Sequence, residues 1–125
     1  VVMDNIVTQK SFRFAVRIVK LYQYLSRKHN EYVLSKQLLK AGTSIGANIA
    51  EAQQAQSRAD FVNKANVSLK EAYETNFWIR LLYETGYLSK REYDSILADC
   101  SELERLLISI VKSSKEKPET TDQSF

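Results

Sequence analysis

From Lys10 to Val111 apolar residues recur every three or four positions, and the pattern breaks only around Asn30, Gln56 and Gly86. That spacing places each apolar set on one face of an α-helix, whose period is 3.6 residues. Three glycines and one proline leave too little turn chemistry for a many-stranded sandwich or barrel. The periodicity predicts helices from about Lys10 to Lys28, Val33 to Gln54, Ser57 to Glu84 and Ser89 to Ser113. The third opens on a capping-box-like Ser57-Arg58-Ala59-Asp60 and ends near Gly86; the fourth opens on a full box, Ser89-Lys90-Arg91-Glu92. Rods of this size span about 30–40 Å. Three short connections force them antiparallel, so the expected fold is an all-α, up-down-up-down four-helix bundle. Residues 1–9 read as an N-terminal extension, 10–113 as the bundle and 114–125 as a polar, disordered tail holding the one proline.

The first helix is apolar on more than one side. Phe12, Ala15, Val16, Val19 and Tyr22 share a face, and Phe14, Ile18, Leu21 and Leu25 carry it past a half-circle. A helix in a lone bundle needs an apolar stripe only somewhat wider than ~100°, so a second face is expected to be covered by something else. In the third helix Phe61, Ala65, Leu69, Ala72, Ile79 and Tyr83 form the inner stripe, while Phe77, Trp78, Leu81 and Leu82 point away from it. Such a surface on a small protein implies a partner. Phe14, Leu21, Gly42, Gly46, Phe77, Trp78, Leu81 and Leu82 are therefore candidates for the interface of a homo-oligomer.

Gly42, Gly46 and Ala50 fall at i, i+4 and i+8, beside the second helix's core stripe of Leu34, Leu38, Ala41, Ile45, Ile49 and Ala52. A phosphate-binding loop would need G-x-x-x-x-G-K-[ST] or G-x-G-x-x-G after a strand, and neither spacing is present. A glycine inside a helix costs about 1 kcal/mol relative to alanine. Close approach of a neighbouring helix is the gain that would offset it. The fourth helix directs Tyr93, Ile96, Leu97, Cys100, Leu103, Leu107 and Val111 inward.

Catalytic constellations are missing from this pattern. A di-iron bundle needs Glu-x-x-His from two helices. The one histidine, His29, ends the first helix with no acid three residues before it. Cys100 sits on a core stripe as a small hydrophobe, and Glu71 and Glu74 read as a solvated or subunit-bridging cluster. Glu51 is expected to pair with Lys40 or with a base of another subunit. The expectation is a protein that is not an enzyme and carries no metal or cofactor. A single cysteine excludes an internal disulfide, and no stretch resembles a signal peptide or a membrane span. That points to the cytoplasm.

Charge gives the one candidate binding feature. Residues 1–48 hold eight Lys/Arg against two acids, and residues 49–125 hold ten against thirteen. Arg13, Arg17, Lys20, Arg27 and Lys28 line one arc of the first helix, with no acid from Lys10 to Lys28; Lys36 and Lys40 add a pair on the second. Positive stripes of this kind contact phosphates without reading bases, and Tyr24 among them could stack on an unpaired base. RNA or a nucleic-acid-handling protein is one candidate partner, and an acidic protein bound by an adaptor is the other.

The stretch Ser35 to Ser89 also resembles the four-helix-bundle proteins encoded in intervening sequences of bacterial 23S rRNA genes. The resemblance is carried by Ala41, Ser44-Ile45, Asn48-Ile49-Ala50-Glu51, Ser68-Leu69-x-Glu71 and Leu82 to Leu88, and it extends over roughly residues 10 to 112. Where the family usually has Gly after the motif's Glu, this chain has Ala52, which would let the second helix run further. Lys40 stands where the family commonly has Arg, keeping the charge without the bidentate fork. The resemblance implies a left-handed bundle assembled into a homopentamer. A related family, the accessory variability determinants of diversity-generating retroelements, forms pentameric barrels that bind a reverse transcriptase and nucleic acid through basic residues. That relation makes Arg13, Arg17, Lys20, Lys36 and Lys40 candidates for RNA contact.

Overall fold

The structure, a computed structural model, describes residues 2–116. Four helices, α1 (Val2–His29), α2 (Leu34–Ala52), α3 (Arg58–Glu84) and α4 (Lys90–Glu116), follow one another up and down. Cross-contacts show the directions. Gly42 faces Ile18 and Gly46 faces Ser11, so α2 runs against α1. The Lys64–Glu51 pair and the Ser68 Oγ bond to Ile45 O set α3 against α2, and Lys10–Glu102 with Arg17–Asp99 set α4 against α1. Each helix packs on its two chain or ring neighbours; in the diagonal pairs, α1 with α3 and α2 with α4, the backbones of the described residues stay apart and only the shared core lies between them.

α1 begins eight residues before the expected Lys10. The reason is Ser11, a polar residue that interrupts the apolar stripe in the sequence. Val7, Ser11, Phe14, Ile18 and Leu25 nonetheless form one buried face. Ser11 can be buried because Gly46 opposite it has no side chain: a Cβ there would lie 3.1 Å from the Ser11 carbonyl oxygen. The Ser11 hydroxyl is satisfied within α1 by Thr8 O at 3.2 Å. The α4 helix passes the expected boundary at Ser113 and ends at Glu116. Of the expected polar tail, residues 117–125 lie outside the described residues.

Each turn has an identifiable local cause. Asn30 adopts φ 53°, the left-handed region that asparagine tolerates, and closes α1. The buried Glu31 carboxylate then accepts the N–H groups of Val33, Leu34 and Ser35 at 3.1, 2.9 and 2.6 Å. Three of the four unpaired donors that start any helix are thereby satisfied for α2 by one side chain. The α2 helix ends at Ala52, two residues short of Gln54, in a turn. Ser57 caps α3 by accepting Asp60 N–H at 3.0 Å; the Asp60 carboxylate reaches back to Gln56 N–H instead of closing the box on Ser57. Tyr87 N–H to Leu82 O and Gly86 N–H to Tyr83 O close α3 as a Schellman motif, with Gly86 at φ 89°. The Ser89 box is complete: Glu92 N–H donates to Ser89 Oγ and Ser89 N–H to Glu92 Oε1.

One core runs the length of the bundle, built on Phe14, Ile18, Leu25, Leu38, Ile45, Ile49, Ile79, Leu82, Leu103 and Leu107. Each such side chain contributes about 1.5–3 kcal/mol by leaving water. The buried hydroxyls of Ser35, Ser68 and Thr75 donate to main-chain oxygens of Glu31, Ile45 and Glu71. Among the described residues no buried side-chain nitrogen or oxygen lacks a partner. Glu51 pairs with Lys64 at 2.8 Å, correcting the expected pairing with Lys40; one antiparallel turn brings α3 to it first.

Candidate nucleic-acid interface

The basic arc of α1 faces α4, and α4 answers it with acids. Glu92, Ser95, Asp99 and Glu102 lie at i, i+3, i+7 and i+10, one stripe of α4. Lys10 Nζ meets Glu102 at 3.1 Å. Arg17 donates through Nη1 to Asp99 Oδ2 at 2.7 Å and to Ser95 O at 3.3 Å, and through Nη2 to Ser95 Oγ at 2.9 Å. Arg17 is thus committed within the chain, although pairs as open as this one stabilise by no more than about 1 kcal/mol.

Past the Arg17 tie, towards the end of α1, the helices part. Arg17, Lys20, Leu21, Tyr24, Arg91, Glu92, Ser95 and Ile96 line a groove of about 430 Å³. The Tyr24 phenol is held above its ordinary pKa by burial first, then by the charge of Glu92 and a hydrogen bond to it. Its oxygen also lies 3.3 Å from His29 Nε2, and the His29 ring stands edge-on to Tyr24 and to Tyr87, at 5.2 and 6.0 Å. A smaller hollow beside the groove is lined by Lys10, Arg13, Phe14, Asp99, Glu102 and Leu103. Arg13 therefore has acids for neighbours.

The seven cations expected to form a binding surface are divided by the fold. Lys20, Arg27 and Lys28 are exposed and make no ion pair among the described residues. Lys40 lies on the α3 side of α2, where its charge acts on Glu71, and Lys36 is exposed on the same helix. Burial, then the charge of Glu74, raises the Glu71 pKa, and Lys40 opposes that rise. Arg91 joins the groove without having been expected. Its signal lay in the antiparallel register, which sets the start of α4 beside the end of α1.

Half of the expected interface residues belong to the bundle itself. Phe14 and Leu82 are 2% and 0% exposed. Gly42 and Gly46 serve α1 of the same chain: a Cβ on Gly42 would fall 2.8 Å from Ile18 Cγ1. Leu21, Trp78 and Leu81 are half-buried, the first two against the core, and Trp78 Nε1–H donates to Glu74 at 3.0 Å. Phe77 stays 47% exposed, with Trp78 edge-on to it at 5.0 Å. The open apolar residues of α1 are instead Phe12, at 69%, Val16, Val19 and Ile6, and Tyr73 stands near Phe77 on α3. A wheel places Phe12, Val16 and Val19 opposite Phe14 and Ile18, so the broad apolar arc splits into an inner and an outer half.

Cys100 is fully buried, and burial, with Glu104 adding its charge, pushes its thiol up to about 12. A thiol so protonated is no nucleophile at neutral pH. His29 is exposed at the end of α1, far along the bundle from Cys100. Among the described residues no three His, Cys, Asp or Glu side chains cluster as metal ligands, and no helix is long and apolar enough to cross a membrane.

The fold is shared with a known structure. A protein of unknown function from the S23 ribosomal protein family of Bacteroides thetaiotaomicron matches with a TM-score of 0.87 and 57% identity, over 88% of this chain and 98% of its own. No curated protein matches. The family described as 23S rRNA-intervening sequence protein matches residues 3–109, the span that runs from the start of α1 almost to the end of α4. The chain belongs to the 23S rRNA-intervening sequence protein family.

Proposed function

We propose that this bundle is a non-enzymatic, cytoplasmic protein that binds RNA or a ribonucleoprotein through the α1–α4 side, and that it does so as a homo-oligomer. The observation that carries the binding role is the set of exposed cations Lys20, Arg27, Lys28 and Arg91, unpaired within the described residues; Lys20 and Arg91 line the groove, and Arg27 and Lys28 follow it along α1. Cations already neutralised by a carboxylate gain little from a phosphate; these four have their full charge to offer. The ribosomal association in the names of the family and of the Bacteroides protein agrees with an RNA partner.

Two unlike apolar patches support the assembly. Phe12, Val16 and Val19 lie on α1, and Tyr73 and Phe77 lie on α3, its diagonal opposite. Patches on opposite flanks suit a head-to-tail contact that closes into a ring, and five subunits is the number the family resemblance suggests. In a ring the cationic groove would repeat once per subunit and multiply its field.

Binding to a structured rRNA fragment should weaken as salt rises, by about 0.9 in log affinity per log salt for each phosphate neutralised. Reversing Lys20, Arg27 and Lys28 to glutamate should abolish it without changing the oligomer. Retention of the fragment by the reversed protein would exclude this surface. Capture of a protein partner that survives nuclease treatment, with no RNA bound, would favour the adaptor instead.

A further inference from the structure

The groove between α1 and α4 brings an apolar floor, an oriented aromatic ring and two uncommitted cations into one hollow of about 430 Å³, a size typical of small organic ligands. We propose that it seats a single unpaired nucleotide, with the base over Leu21 and Ile96 against Tyr24 and the phosphate between Lys20 and Arg91. The proposal deepens the RNA-binding reading and rests on it for the source of the nucleotide, whereas the fit is a property of the groove alone.

Three features select this occupant. Lys20 and Arg91 line the groove from different helices, one from α1 and one from α4, so an anion seated there meets positive charge from both; Arg17 is already held by Asp99 and Ser95 and is not needed. Tyr24 is oriented in advance by the His29 ring, which stands edge-on to it with Nε2 3.3 Å from the phenol oxygen. A pre-set ring costs little ordering when a base stacks on it. Glu92 gives the ligand a direction: its carboxylate repels a phosphate and accepts from the exocyclic amine of adenine, cytosine or guanine, leaving the phosphate at the cationic rim. A base locked in a duplex cannot enter. The nucleotide is therefore either a residue extruded from an RNA strand or a free ribonucleotide, and the chemistry is the same.

The two sources separate by experiment. Ser95 is exposed on the groove wall, so Ser95→Trp fills the hollow without altering charge. Lys20→Ala/Arg91→Ala removes the two cations, and Arg27→Ala/Lys28→Ala removes two outside the groove as a matched control. The probes are a labelled oligoadenylate, a blunt RNA duplex and adenosine monophosphate. Ser95→Trp should weaken oligoadenylate binding about tenfold or more, the loss of one stacked base, and leave the duplex unaffected. Lys20→Ala/Arg91→Ala should weaken it more than the control does at equal salt. The latter pair is exposed, so it decides the matter if Ser95→Trp fails to fold. Groove-dependent binding of the monophosphate identifies a free nucleotide as sufficient; oligoadenylate binding without it identifies a strand. Oligoadenylate and monophosphate binding unchanged in both groove variants, or lost equally for duplex and single strand, overturns the proposal. Should no RNA bind at all, the RNA role falls and the monophosphate alone decides the groove: binding abolished by the groove variants upholds it, and no binding ends it.

Discussion

At the scale of single residues the two glycines of α2 show how much a missing atom can specify. A Cβ on Gly42 would lie 2.8 Å from Cγ1 and 2.9 Å from Cγ2 of Ile18, a side chain with no exposure. Both atoms are attached directly to the Ile18 Cβ, so they cannot swing aside as the tip of a longer chain could. Gly42→Ala gains about 1 kcal/mol of helix propensity and loses about 1–3 to overpacking. The expected net is a destabilisation of about 1 kcal/mol in urea denaturation. In an Ile18→Ala background the clash is gone, and the same change should become neutral or stabilising; equal cost in both backgrounds would disprove the contact. The spacing of Gly42, Gly46 and Ala50 made the close approach legible in the sequence. Which helix approaches was not legible, because i, i+4 spacing is the same whether the neighbour comes from the same chain or another.

At the scale of elements, the caps explain both what could be foreseen and what could not. The Ser89 box and the Gly86 stop are local patterns, readable within a few residues, and both form as expected. Glu31 is not legible as a cap because capping residues are ordinarily Ser, Thr, Asp or Asn immediately before the helix, and its reach over Val33, Leu34 and Ser35 depends on the left-handed turn at Asn30. Burial works to raise the Glu31 pKa, but the three N–H bonds together outweigh it and leave the value below the ordinary 4.5. The unfolded chain therefore takes up the proton first on acidification. Glu31 contributes its stability fully above 4.5 and loses it as pH falls through the lowered folded value. Burial raises Glu71 and Glu104 instead, so their protonation favours the fold as pH drops. Only the difference between Glu31→Gln and the parent isolates the cap. That difference should be about 1 kcal/mol at pH 7 and should vanish once the parent's own carboxyl is protonated. A gap that persists undiminished at the acid end would mean that charge has no part in starting α2. The same limit of local reading applies to the candidate interface. The acids of α4 carry no meaning in the sequence alone, because only the antiparallel register sets Asp99 against Arg17 and places Lys20 and Arg91 along one groove.

At the scale of the whole molecule the four-helix architecture was legible because periodicity, caps and short connections all agree. The outward faces were legible only in part: excess apolar surface announced itself, but the wheel alone could not say which half turned inward. Phe14 and Leu82 went into the core, while Phe12 and Phe77 remained outside. Because α1 and α3 are diagonal, a two-fold dimer made through one patch would leave the other bare. A head-to-tail assembly covers both. The two modes respond differently to substitution at exposed positions that leave the core intact. Phe12→Glu spoils the α1 patch of every copy, and Phe77→Glu spoils every α3 patch, so each protein alone should sediment as a monomer. Mixed, they should form a one-to-one dimer and nothing larger, since the sound α3 face of the first meets the sound α1 face of the second and no further pair remains. A two-fold interface predicts the reverse: one of the two variants dimerises by itself, and mixing adds nothing. Native mass spectrometry of the separate and mixed proteins distinguishes these patterns by mass alone, and a parent protein that stays a monomer at micromolar concentration would remove the ring altogether.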